Sequence, residues 1–287
     1  MNIIQVYKQF PTQEDCITHL ENVRWQSKPI CPYCKSLRVT PNEHRYHCNA
    51  CNTSFSVTVG TIFHKTKVDL QKWFLAISLV LNAKKGISAR QLARDIEVNK
   101  NTGWYMLMRI RKAMREYGEL LEGIIEADET YIGGKEKNKH WDDKTKGGQG
   151  RSTKSKTPVI GIVQRGGRVR ARKAKNVTAK TIQSFIKINT KAGSHIMTDE
   201  WTAYKGIDKK NFKHSFIQHG KGQYVQGEIY TNTIENFWSL LKRGIFGQYH
   251  HLTDKHLQRY IDEFCFRYNN RANGNVFEEV LLQAVTI

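Results

Sequence analysis

The chain has 287 residues and a mass of 33.3 kDa, more than one small domain of about 100 to 200 residues accommodates. Its 46 Lys and Arg against 26 Asp and Glu give a formal charge of +20 and a pI near 9.7. That excess exceeds what solubility requires and points to a polyanionic partner. No apolar run approaches the ~18 residues that span a bilayer, so no membrane partner is expected. The opening MNIIQVYKQFPTQEDC lacks a basic-then-apolar leader. A cytoplasmic, nucleoid-associated protein is therefore expected, with its six cysteines in a reducing compartment where disulfides are disfavoured.

Residues 1–62 are expected to form an N-terminal helix and a zinc ribbon. Cys31-Pro-Tyr-Cys34 is followed, after 13 residues, by Cys48-Asn-Ala-Cys51. Two such pairs bring four thiolates together from two tight turns, the donor set of one structural, tetrahedral Zn²⁺. A disulfide-stapled hairpin or free buried thiols are the alternatives. His44 and His47 lie near enough to compete as ligands, although four cysteines already fill the site. Cys16 and Cys265 have no matching partner and read as packed thiols.

Residues 63–120 read as a helical, helix-turn-helix region. A helix begins near Asp69 (DLQKWFLAISLVLNA), Gly86 marks a break, and Ser88 with Gln91 makes a capping-box pattern. Ala89, Leu92, Ala93 and Ile96 then share one face. After the turn EVNKN, a second helix is expected from about Thr102. Its Trp104, Leu107 and Met108 would pack inward, while Arg109, Arg111, Lys112 and Arg115 would meet DNA phosphates. The alternative is a helical linker with a solvated basic face.

Residues 121–287 read as a catalytic domain. GIIEADETYIGG is expected to be a strand, and PVIGIVQRGGRVRARKAKN two strands around an Arg-Gly-Gly turn. Between them, 133–157 is polar, lysine-rich and poor in apolar residues, and reads as a mobile basic loop. Residues 133–175 carry 14 basic and three acidic side chains. Arg165, Arg168, Arg170, Arg172 and Lys173 of the hairpin are candidates for DNA phosphate contacts. Thr178 can cap the helix TAKTIQSFIKINT, SHIMTDEW reads as a strand ending in acids, and two amphipathic helices fill 232–270, divided near His250 and Thr253. Strands, helix, then strand imply an α/β sheet.

Asp128, Asp199 and Glu235 stand out on these elements. Carboxylates converging from separate elements can hold two Mg²⁺ or Mn²⁺ ions, which phosphodiester chemistry uses to activate an attacking oxygen and stabilise the leaving one. Glu126 and Glu129 are rivals to Asp128, with strand alternation placing Glu126 on its face and Glu129 on the other. Glu200 rivals Asp199. Glu235 could also be the third-position acid of a cap starting at Asn232. On that helix Ile234, Phe237, Trp238, Leu241 and Ile245 form an apolar stripe, with Glu235 and Lys242 on one flank. Lys242 and Arg243 suit DNA phosphate there.

Read in order, RWQSKPICPYC, RYHCNACNTSFSVTVGTIFHKTKVDLQKW, GISARQLARDIEVNKNTGWYML, EADETYIGGK, TDEW, NTIENFWSLLKRGIFGQYHH and EFCFRYNNR resemble one family over nearly the whole chain. It is that of bacterial insertion-sequence transposases with an N-terminal zinc ribbon and a ribonuclease H-like aspartate-aspartate-glutamate catalytic domain, the group to which the Merlin elements are related. The resemblance implies a multidomain protein: zinc ribbon and helix-turn-helix, then an integrase-type α/β domain with a mixed sheet. It implies Asp128, Asp199 and Glu235 as the metal-binding catalytic acids, with Lys242 as the helix lysine. Asn232 and Asn236 are candidate supporting residues. It implies a transposase that binds terminal inverted repeats, then cleaves and transfers strands. The expected partners are double-stranded DNA, at transposon ends and target, and further copies of the chain. Two departures stand out: Tyr230 where the family has histidine, and Gly103 where alanine is usual, which would weaken its helix by up to about 1 kcal/mol and loosen recognition. The rival functions are a zinc-ribbon regulator with an inactive catalytic domain, and a ribonuclease H-like nuclease or resolvase.

Overall fold

Apolar periodicity sorts the chain into helices and strands in the computed structural model, which describes residues 1–286 except 117, 135–137, 139, 145, 147–151, 153, 209, 218–229 and 251. The chain divides into two compact units, Met1–Arg115 with Ala272–Ile287, and Glu116–Arg271.

In the first unit, α1 (Ile3–Gln9) and α2 (Gln13–Trp25) each open with a capping box, Asn2 with Gln5 and Thr12 with Asp15. These reciprocal bonds satisfy N–H groups that a helix leaves unpaired. An antiparallel ribbon follows, ordered β1 (Val39–Asn42), β2 (Arg45–Cys48) and β3 (Thr53–Phe55). Next come α3 (Leu70–Asn82), α4 (Ala89–Asp95) and α5 (Lys100–Ala113). Ser88 accepts from the Gln91 N–H at 3.1 Å, as the spacing predicts.

Two expectations for α5 need correction. Asn99 accepts from the Asn101 N–H and starts the helix at Lys100 rather than Thr102. Trp104 does not pack inward but is 42% exposed; the buried side is Gly103, Met106, Leu107 and Ile110, at helical spacing. Gly103 is itself the contact with α4. A Cβ there would stand 2.9 Å from both the Ala89 carbonyl oxygen and the Ala93 Cβ. The glycine therefore permits the crossing of α4 and α5.

The second unit contains β4 (Ile124–Ile132), β5 (Thr157–Gln164), β6 (Val169–Lys173), α6 (Ala179–Asn189), β7 (His195–Asp199), β8 (Lys213–Ile217), α7 (Asn232–Gly244) and α8 (Asp254–Asn269). The sheet order is β6-β5-β4-β7-β8. β4 pairs antiparallel with β5 and β5 antiparallel with β6, whereas β7 runs parallel to β4 and β8 parallel to β7. This is the expected mixed sheet with the expected hairpin, whose turn uses Gly166 at φ 69°. The edge strand β8, half-exposed and only five residues long, has no alternation strong enough to announce it. Eleven of the 25 residues of the mobile loop expected at 133–157 lie outside the described residues; Trp141–Asp143 within it forms a 3-10 turn.

The sheet is covered on both faces. Ile125, Ala127, Ile160, Ile162 and Ile196 pack with Ile182, Phe185 and Ile186 of α6. On the other face Val159, Val163 and Val169 meet Ile234, Phe237, Trp238 and Leu241 of α7 and Leu257, Ile261 and Phe264 of α8. Each large apolar side chain so buried contributes roughly 1.5 to 3 kcal/mol. α7 continues into a π-helical turn, Ile245–Tyr249, closed by His250 at φ 60°. The last helix, α9 (Val276–Thr286), belongs to the first unit, where it packs on α2, α3 and α5. The compact sheet unit thus ends at Arg271 rather than running to 287. Among the described residues no helix is long and apolar enough to cross a membrane.

Candidate active site and metal centre

The four cysteines of the ribbon converge. Their sulfurs lie within 4.8 Å of one another, with Cys31 and Cys51 at 3.7 Å and Cys34 and Cys48 at 3.5 Å. A tetrahedron with Zn–S bonds of about 2.3 Å has edges of about 3.8 Å, so the quartet has coordinating spacing; these separations far exceed a disulfide bond. Each turn is drawn tight by its backbone: the Lys35 N–H donates to the Cys31 carbonyl at 3.0 Å and the Asn52 N–H to the Cys48 carbonyl at 2.9 Å. Lys35 and Asn52 take the left-handed conformation this requires. His44 is exposed and His47 pairs with Ser54, so neither joins the cluster. Cys16 and Cys265 are buried, and burial pushes the Cys16 thiol up to about 12.

The acids occupy the sheet and α7. β4 and β7 pair in parallel register as far as Glu126 opposite Met197; Asp128 and Asp199 each follow that pair by two residues, so strand alternation puts both on its face of the sheet. Glu235 stands exposed on the first turn of α7, accepting from the Thr231 hydroxyl at 2.9 Å. Burial raises the Asp128 carboxyl to about 7, and the negative charges of Glu129, Asp199 and Glu235 add to the rise, partly offset by the Glu129 backbone N–H. Asp199 and Glu235 are therefore near enough to act electrostatically on Asp128. Among the described residues only the cysteine quartet meets at ligand spacing. The three acids are held less tightly, each side chain engaged with its own neighbours: Trp238 Nε1 donates to Asp128 Oδ2 at 3.0 Å, and the Trp201 N–H donates to Asp199 Oδ1 at 3.1 Å. Lys242 is half-buried on α7; burial and the charge of Lys156 lower its pKa, opposed by Asp128.

The rivals have other partners. Glu126 is fully buried and accepts from Arg165 Nε at 2.7 Å, the Thr233 N–H at 2.8 Å, the Thr233 hydroxyl at 2.9 Å and the Ile234 N–H at 3.1 Å. Its carboxylate thus caps α7 from another element, satisfying N–H groups at the positive end of the helix dipole. This corrects the local cap expected at Asn232, which is the first helical residue and exposed, after Thr231. Glu129 lies on the opposite face, accepting from the Tyr204 hydroxyl at 3.0 Å. Glu200 is exposed beyond the end of β7. Asn236 is exposed beside Glu235.

Most of the arginines expected to meet DNA are committed inside the fold. Arg111 is 1% exposed, and Arg109 donates to the Ile62 and His64 carbonyls. Arg165 bonds Glu126 and the Tyr230 carbonyl while its guanidinium lies 3.5 Å from the Tyr230 ring centroid. Tyr230, at the position where histidine was expected, is thus a platform for that arginine. Arg170 donates to the Gly118 and Glu119 carbonyls and to Asn189, and Arg172 lies over Phe185. Arg168 and Lys173 pair with Glu116 and Asp254. Basic charge in a strand is legible in sequence; the internal acceptors that consume it are not. Lys112, Arg115 and Arg243 are exposed.

Sequence profiles match both units. One described as an ISXO2-like transposase domain matches residues 120–269, and one described as a transposase zinc-ribbon domain matches residues 11–54. An uncharacterized protein in transposable element ISH50 of Halobacterium salinarum is 29% identical over 249 residues, covering 82% of this chain and 84% of that one. Among solved structures, the chain is similar to the HTLV-2 integrase catalytic core domain in complex with magnesium, with a TM-score of 0.30 and 16% identity over 50% of this chain and 86% of that one. It is also similar to the Mos1 strand transfer complex, with a TM-score of 0.31 and 11% identity over 74% of each chain.

Proposed function

Because the chain belongs to the ISXO2-like transposase family, we propose that it binds the terminal inverted repeats of an insertion sequence, cuts DNA there and transfers the freed strand to a target. The observation that carries the reading is the placement of Asp128 and Asp199 on the adjacent parallel strands β4 and β7, with the charges of Asp199 and Glu235 bearing on Asp128. Three hard oxygen donors whose charges repel one another fit Mg²⁺ or Mn²⁺, so Asp128, Asp199 and Glu235 would hold two such ions. When bound, these supply Lewis-acid activation of the attacking oxygen and charge stabilisation at the leaving one. Lys242 orients a non-bridging phosphate oxygen beside Asp128, and Asn232 and Asn236 border the same exposed side of α7. Water first attacks the phosphorus at the element's end and releases a 3′-hydroxyl. That hydroxyl then attacks a target phosphodiester and displaces its 3′ oxygen.

The cysteine quartet would hold one structural Zn²⁺. In this reading the ribbon and the α4–α5 pair hold the ends, with Lys112 and Arg115 on phosphates, while the sheet unit and Arg243 hold the reacting strand. Joining two ends calls for a dimer or larger assembly on DNA. Incubation with terminal-repeat DNA and Mg²⁺ or Mn²⁺ tests the proposal: joined products support it, cleavage alone makes the protein a nuclease, and binding alone makes it a regulator. Asp199→Asn is expected to abolish both chemical steps while leaving end binding intact; strand transfer by that variant would remove Asp199 from the mechanism.

A further inference from the structure

Trp238 lies on the apolar stripe of α7 and is 4% exposed, which by itself describes a core residue. Its indole nevertheless donates from Nε1 to Asp128 Oδ2 at 3.0 Å. The ring reaches that oxygen by lying on Gly161, which the antiparallel register places directly across from Asp128. A Cβ on Gly161 would come within 2.5 Å of Trp238 Cη2 and 2.7 Å of Cζ2. Three residues that are far apart in sequence therefore form one arrangement: a carboxylate, a hydrogen-bond donor, and the bare backbone over which the donor passes.

We propose that Trp238 is a positioning residue that presents Asp128 to a divalent cation, with Gly161 providing the space; the inference rests on the reading of Asp128 as a metal ligand. A terminal carboxylate torsion is broad and roughly two-fold, so an untethered Asp128 would sweep its oxygens past the cation position. The indole is held by the core and fixes one oxygen. A carboxylate offers about four lone-pair sites; the indole N–H and the Glu129 backbone N–H take two of them and leave about two for a cation. The indole is also a neutral donor and has no acceptor. An arginine or lysine in its place would fix the carboxylate but would cancel the charge that attracts the cation. The tryptophan orients Asp128 while leaving its charge intact.

Trp238→Phe keeps most of the ring and removes the donor. Mn²⁺ binding to the full chain, followed by the electron paramagnetic resonance signal of the free ion, is expected to weaken about 10-fold, the scale on which hydrogen-bond partners of metal ligands act. The Mn²⁺ concentration giving half-maximal strand cleavage should rise in parallel. Gly161→Ala, which keeps the N–H but displaces the ring, is expected to weaken Mn²⁺ binding in the same direction. A purely structural Trp238 would lower the melting temperature and leave Mn²⁺ affinity at the wild-type value in both variants, and that result overturns the proposal. Asp128→Asn defines the site in the same titration. If wild type and Asp128→Asn bind Mn²⁺ alike, the metal reading of Asp128 fails and the proposal with it, an outcome distinct from equal affinities in wild type and Trp238→Phe.

Discussion

Asp128 concentrates the electrostatic tension of the sheet unit. Its carboxyl is raised from an ordinary value of 3.8 to about 7 by burial and by three neighbouring acids. In the metal-free protein the folded state therefore binds a proton that the unfolded chain has released, between about pH 4 and 7. Stability contributed by that proton is present at the lower end of this window and lost as the pH rises through 7. Asp128→Asn, which removes the charge, is accordingly expected to raise the melting temperature of metal-free protein at pH 8 and to leave it nearly unchanged at pH 4. Each kcal/mol recovered corresponds to roughly 2 to 4 °C. Thermal unfolding at the two pH values, with a chelator present, checks the sign. Much of this was legible in the sequence: Asp128, Asp199 and Glu235 stood out by their placement at strand and helix positions. What spacing did not show was which neighbours neutralise which charges. Glu126 shares a face with Asp128 and looked equally available, yet it is consumed by Arg165 and by the start of α7.

That capping bond links two elements, β4 and α7, and its removal should register in the whole sheet unit. Taking one partner from a buried ion pair leaves the other uncompensated and costs about 3 to 5 kcal/mol. Glu126→Ala is expected to lose stability on that scale in urea denaturation. Adding Arg165→Met should cost less than the sum of the two single changes, because no unpaired guanidinium then remains. Simple additivity would show that the two side chains act independently. At the crossing of α4 and α5 the prediction runs against helix propensity. Gly103→Ala should favour an isolated α5 by about 1 kcal/mol. In the fold its Cβ meets the Ala89 carbonyl oxygen and Ala93 at 2.9 Å, and overpacking of this kind costs about 1 to 3 kcal/mol. A fall in the denaturation midpoint is expected, and a rise would mean that the helices part at no cost. Secondary structure was read well where periodicity was long, as along α7 and β4. Errors fell where a partner decided the outcome, as with Trp104, displaced from the interior by Gly103.

Across the whole molecule, the two units are expected to respond separately to metal removal. Stripping Zn²⁺ with a strong chelator, or Cys48→Ser, should reduce bound zinc from one per chain and unfold the ribbon, since a closed thiolate site contributes folding energy directly. Unchanged zinc content in Cys48→Ser would refute the quartet as the ligand set. The charge of +20 favours a polyanionic partner on composition alone, but the hairpin arginines that contribute to it are largely tied to internal carbonyls, carboxylates and rings. By itself, the sequence determined the cysteine quartet, the apolar stripe of α7, the strands that carry Asp128 and Asp199, and the family the chain belongs to. These are properties of local spacing and side-chain type, which neighbours along the chain express directly. Only the tertiary structure decided that Ala272–Ile287 returns to the first unit, that Glu126 caps α7, that Arg111 is buried, and that the Trp238 indole crosses Gly161 to reach Asp128. Each of those depends on which surfaces exclude water together and which polar groups must then find partners inside, and the partners lie many residues away in the chain.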